Sequence, residues 1–252
     1  MDFSLYLVVA LGAALAGFVQ GLSGFAFSMV AMAVWAWWVD PQLVAAMAVF
    51  GAFSGQLLAA LTVHRSFDLK LLAPFLLGGL AGIPVGIGIL PLLDVTLFKL
   101  GLGGLLAVIC PVMLAAHRLP KVSLGGGGAN RAADAAAGFV GGVLGGIAGV
   151  SGAIPTLWCT LRGMPKDRQR AVIQNFNLGM LGVTLALYVG TGVITRATLP
   201  MLAIVLPAML IPTLLGAKLY IGISEAAFRR IVLGLLTASG LAMLASAVPK
   251  LL

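Results

Sequence analysis

Two short glycine-rich clusters carry polar groups whose types and spacing could do chemistry. They are Gln20-Gly21-Leu22-Ser23-Gly24, with Ser28 close behind, and Gly149-Val150-Ser151-Gly152. Glycine lets a chain leave helical geometry, and the free N–H groups of a helix that starts there form a cradle for an anion. Ser23, Ser28 and Ser151 add hydroxyl donors and Gln20 an amide. The competing use of such glycines is close packing of helices through small residues. A second constellation is Arg168-Gln169-Arg170 followed by Gln174, Asn175 and Asn177. Arg170, Gln174 and Asn177 stand at i, i+4 and i+7, which is one face of a helix. Arg170 can grip an oxyanion through two N–H groups while the amides donate without charge. A surface anchor for Arg170 and interhelical hydrogen bonds for the amides are the alternatives. The corresponding stretch of the first half offers only Ser54 and Gln56.

Acidic residues are placed differently. Asp2, Asp40, Asp68, Asp94, Asp134, Asp167 and Glu225 all fall at or near the ends of apolar stretches. No carboxylate is offered inside a stretch as a proton relay or Na⁺ ligand, so the expected cargo is an anion. Cys110 and Cys159 lie inside apolar stretches without C-x-x-C spacing, which reads as packing and predicts no metal site or cofactor. His64 and His117 sit beside Arg65 and Arg118 in polar loops, and Trp35, Trp37, Trp38 and Trp158 read as interfacial or packing residues.

The elements that position these groups follow from composition. Of 252 residues, 61% are hydrophobic and 9% charged, and the mean hydropathy is +1.14. A soluble domain needs about a quarter charged residues to solvate its surface. Most soluble enzymes, disordered chains and nucleic-acid binders are therefore excluded, and an all-α polytopic membrane protein in the lipid bilayer remains. The net charge of +8 is then assigned to basic cytoplasmic loops. The N-terminal segment lacks the basic region of a signal peptide and is expected to be retained.

His117 to Asp134, with Gly125 to Gly128, is the one linker-like stretch. It divides the chain into a first repeat (1–117), a basic linker (118–132) and a second repeat (133–252). Gly17, Gly21 and Gly24 recur with identical spacing as Gly142, Gly146 and Gly149, Pro41 is echoed by Pro165, and Pro84/Gly86 by Pro212/Gly216. As single helices, Phe3 to Val39 would run about 55 Å and Ala135 to Leu161 about 40 Å, against a bilayer core of roughly 30 Å. Each is expected to be two short helices meeting at the glycines as a hairpin with no net crossing.

That topology collects Arg65, Lys70, Arg118, Lys121, Arg131, Arg162, Lys166, Arg168, Arg170, Lys218, Arg229 and Arg230 on one side, leaving Lys99, Arg196 and Lys250 on the other. Three further helices per half make the repeats inverted, the linker cytoplasmic and both termini non-cytoplasmic. Inverted repeats with broken helices are a secondary-transporter architecture.

The segments QGLSGFAFS, Gln20 to Ser28, and LRGMPKDRQRAVIQNFNL, Leu161 to Leu178, together with the paired Gly-rich openings, resemble the TauE/SafE family of sulfite exporters within the toluenesulfonate-uptake permease group. The resemblance covers essentially the whole chain. It implies an inner-membrane transporter of sulfur-containing anions such as sulfite, sulfoacetate or related organosulfonates. Where many members carry a Gly-Gly-Gly run, this chain has Gly24-Phe25-Ala26-Phe27 and Gly149-Val150-Ser151-Gly152, which admits a larger or partly apolar anion. The expected mechanism is export by alternating access around a small anionic substrate, and a homodimer stays open. An anion channel on the same scaffold is the alternative. A rhomboid-type serine protease is a weaker one, because the G-x-S-G clusters lack a membrane-buried His.

Overall fold

The computed structural model describes residues 3–24, 26–62, 67–116, 120–122, 125–218 and 225–250. Phe25, His64, Arg65, His117 and Arg118 lie outside the described residues. Among those described there are ten α-helices and no strand. They are α1 (Phe3–Ser23), α2 (Phe27–Trp35), α3 (Pro41–Thr62), α4 (Leu69–Ile89), α5 (Val95–Ala115), α6 (Gly127–Ala148), α7 (Ala153–Leu161), α8 (Lys166–Gly190), α9 (Leu199–Lys218) and α10 (Glu225–Ala247). Seven of the ten contain stretches long and apolar enough to cross a membrane.

Both opening segments break at their glycines, but unequally. In place of two short helices each, α1 and α6 run 21 and 22 residues, while α2 and α7 have 9 residues each. At 1.5 Å per residue the long arms measure about 31–33 Å and the short ones about 13–14 Å, so α2 and α7 are too short to span the apolar core. The second helix also begins earlier than its apolar stretch. Residues 127–132 of the expected linker are the first turns of α6, whose amphipathic start carries Asn130, Arg131 and Asp134.

Glycine faces seat the long arms. A Cβ on Gly17 would stand 2.6 Å from the Met209 carbonyl, and one on Gly21 would collide with the Thr213 carbonyl, so α1 and α9 advance in parallel. Gly78, Gly82 and Gly86 of α4 meet Ala135, Phe139 and Val143 of α6 in the same sense. By contrast, Gly103 faces Gly240, Met243 and Leu244, whereas Gly240 faces Gly103 and Ala107, so α5 and α10 run antiparallel. Small residues let backbones approach where lipid offers no hydrophobic drive to association.

Candidate functional site

The two hairpin tips meet inside the bundle. Gly149 lies against the start of α2, where a Cβ would stand 2.9 Å from Ser28 Oγ and 3.0 Å from Val49 Cγ2. Around this junction is a narrow cavity lined by Gln20, Ser28, Gln56, Ser151, Gly152 and Asn177, with apolar walls from Met29, Ala52 and Leu181. It gives about 10 Å³ to the centre of a water molecule, room for about one water. None of the lining residues is charged.

Local bonding fixes the two tips in different ways. At the first, Gly24 takes φ +81° and its N–H donates to the Gln20 carbonyl at 2.7 Å. Gln20 Oε1 then accepts the N–H of Phe27 at 3.1 Å, so a side chain of α1 caps α2. Gln56 Nε2, from α3, donates to the Gly24 carbonyl at 2.6 Å. At the second tip, Gly149 ends α6 in the left-handed region at φ +68°, its N–H donating to Gly145 and that of Val150 to Leu144. Ser151 Oγ donates to Asn177 Oδ1 at 2.9 Å. Gly152 has no side chain because the Asn177 amide covers it, a Cβ there standing 2.5 Å from Nδ2.

This bonding has a chemical sense. In Gln20 and Asn177 the carbonyl end is occupied by protein donors, so each turns its NH₂ end to what remains. Helix α7 opens at Gly152 with no side-chain cap, and its first N–H groups bring the positive end of the helix dipole to the same wall. The NH₂ groups of Gln20 and Asn177 and the α7 N-terminus converge without a full charge, an arrangement suited to holding one anion reversibly, while the hydroxyls of Ser28 and Ser151 spend their protons on the Ala48 carbonyl and Asn177 Oδ1.

Of the residues singled out by sequence, Gln20, Ser28, Gly149, Ser151, Gly152 and Asn177 come together at the cavity. Gly21 does not, because it lies in the α1–α9 contact. Ser23 is at the tip but bonds locally, donating to the Val19 carbonyl at 2.7 Å and accepting from Ala26 N–H at 3.3 Å. Gly24 shapes the turn. Gln174 is half-buried, with Nε2 3.9 Å from the Cβ position of Gly24, and Arg170 is exposed one turn further out. The α8 stripe is therefore graded from exposed Arg170 through Gln174 to buried Asn177.

Gln56 is the lining residue that sequence reasoning undervalued. The glycine series repeats at a separation of 125 residues, and that offset pairs Ser28 with Ala153, Ala52 with Asn177 and Gln56 with Leu181. All six line the cavity, and each pair has one polar member. Carrying the glycine offset forward would have found Gln56.

Away from the cavity, Asp134 of α6 is 3% exposed. One guanidinium nitrogen of Arg162 reaches both its carboxylate oxygens, at 2.7 and 2.8 Å, and Trp158 Nε1 donates to Oδ1 at 2.7 Å. Asp134 stands about 10 Å into α6 rather than at a segment end.

Seven apolar spans, two broken hairpins and a small polar-lined cavity at their junction define a multi-pass membrane protein of transporter type. The chain belongs to the sulfite exporter TauE/SafE family, which it matches over residues 9–243. No curated protein and no solved structure matches it.

Proposed function

We propose that the protein is a secondary transporter moving a small sulfur-containing anion, such as sulfite, sulfoacetate or a related organosulfonate, out across the inner membrane by alternating access. It acts as a carrier and not as an enzyme. The observation that carries the anion reading is the occupied carbonyl ends of Gln20 and Asn177, which leave donors facing a site with no charged lining residue. A cavity with room for about one water cannot hold sulfite and its contacts without the tips parting, which favours a carrier over an open pore. Ser151 bonds an amide oxygen, which is no base, and this argues against a serine protease.

The inverted arrangement is supported by the pairing of helices. If the halves are inverted, α1 must match α9 in direction, α4 must match α6, and α5 must oppose α10, as the glycine contacts have it. Two further contacts agree with the charge sorting. Val122 of the linker donates to the Leu161 carbonyl at 2.8 Å, and Lys99 lies 4.7 Å from the Trp37 ring centre. On this reading the linker is cytoplasmic and both termini are not.

An anion leaving a negative interior gains about 2.3 kcal/mol per charge per 100 mV, so export needs no coupling ion. Proteoliposomes preloaded with radiolabelled sulfite should release it faster when the potential drives anions outward. Asn177→Asp keeps the shape and sets a negative charge among the donors, and should lower release by about tenfold or more. Equal release by this variant, or no response to potential, would sink the reading.

A further inference from the structure

Helix α8 and its C-cap carry a polar residue at every seventh position: Arg170, Asn177, Thr184 and, at the cap, Thr191. Seven residues turn an α-helix about 700°, within about 20° of two full turns, so neighbouring members of the series project in nearly one direction and the whole series drifts by about 60°. Arg170 and Thr191 are exposed at the two ends, and the line between them is about 31 Å, the thickness of a bilayer core. Asn177 is the member at the cavity. Thr184, two turns further, is 0% exposed, and its hydroxyl has no hydrogen-bond partner among the described residues.

That hydroxyl departs from its own kind. Thr156, Thr160, Thr213 and Thr237 each donate to the carbonyl four residues back, the default for a helical threonine in an apolar setting. Thr184 makes no such bond, which leaves its O–H unspent among the described residues. Leaving a buried hydroxyl unsatisfied costs about 1–3 kcal/mol. In a membrane helix such a group marks a path or a site.

We propose that Thr184 is a further anion-contacting residue, a hydroxyl subsite that receives the oxyanion from Asn177 as the second hairpin tip moves aside. The transported anion then passes along one face of α8, from the Asn177 amide to the Thr184 hydroxyl. This rests on the transport reading above.

The test uses the full chain in proteoliposomes, with radiolabelled sulfite as probe and the melting temperature of each variant recorded beside its rate. Thr184→Val keeps the shape and removes the hydroxyl. It should slow transport about fivefold, the equivalent of one neutral hydrogen bond, while melting at the wild-type temperature or above. Thr184→Ser restores the hydroxyl and should restore the rate, and Thr184→Ala replaces the Val variant if that one does not fold. Wild-type rates in the hydroxyl-less variants would overturn the role of Thr184 alone. A wild-type protein inert toward sulfite and organosulfonates would overturn the transport reading and this subsite with it.

Discussion

The two hairpins share one plan, a long arm, a glycine break and a nine-residue return, yet their arms are held together by opposite chemistry. In the first, Trp35 of α2 is fully buried against α1 at Gly12, with Phe27 edge-on at 6.2 Å, and no charge is involved. In the second, Trp158 and Arg162 of α7 converge on Asp134 of α6. Apolar packing is tolerant of small displacements, because dispersion falls off gradually and no atom is left unsatisfied. An ion pair in a low-dielectric setting is all or nothing, since either partner alone is a stranded charge. The second hairpin is thus the more rigidly clasped of the two.

The largest expected effect breaks that clasp. Arg162→Ala leaves the Asp134 carboxylate buried with only the Trp158 donor, and should cost about 3–5 kcal/mol. Chemical denaturation in detergent measures it, with Asp134→Asn added to the same chain recovering a good part by removing the stranded charge. A loss below about 1 kcal/mol would show that the pair behaves as a solvated one and that the two hairpins do not differ in kind.

The tips supply a smaller contrast. Gly24 and Gly149 both hold positive φ, so alanine at either is strained by about 1–2 kcal/mol. Only at Gly149 does the new methyl also press on Ser28 and Val49, whereas at Gly24 the nearest atom stands 3.9 Å away. Gly149→Ala should therefore lower the melting temperature more than Gly24→Ala, and should slow sulfite release by closing the cavity wall. Equal shifts would mean that backbone strain alone governs both tips.

Much of this architecture is legible in the sequence, and the reason is the membrane. Apolar length, glycine spacing and the sorting of Lys and Arg are each set by the bilayer, so helices and breaks are written in composition. What was not legible depends on three-dimensional pairing. The short return arms α2 and α7 could not be told from half-length partners, because apolar content says nothing about where a turn falls. Asp134 read as a segment end, since Ala135 begins the apolar run, and only the approach of α7 makes it a buried acceptor. Gly21 continues the α1 face that Gly17 sets against α9, whereas Gly24 lies just past the end of α1 and shapes the turn. Among the predicted donors, those on the tip-facing side of their helices reached the cavity, and Arg170 stayed outside it.

The Trp35→Phe change is expected to be the smallest of all, and set beside Trp158→Phe it separates the two hairpins by their polar contacts. Trp35 and Trp158 each join a short arm to a long one, and Phe at either keeps most of the ring while deleting the indole N–H. At Trp158 that N–H donates to a carboxylate, a bond worth about 1.5–3 kcal/mol. Its loss also leaves Arg162 as the one side-chain partner of Asp134 among the described residues. At Trp35 the buried Nε1 has no partner among the described residues, so deleting it relieves a desolvated donor. The smaller ring forfeits some contact with Gly12, and the two changes offset to within about 1 kcal/mol. Melting temperatures of Trp158→Phe and Trp35→Phe should therefore fall clearly in the first and stay level or rise in the second. A matching fall in both would mean that ring volume governs both sites and that the polar clasp does not set the two hairpins apart.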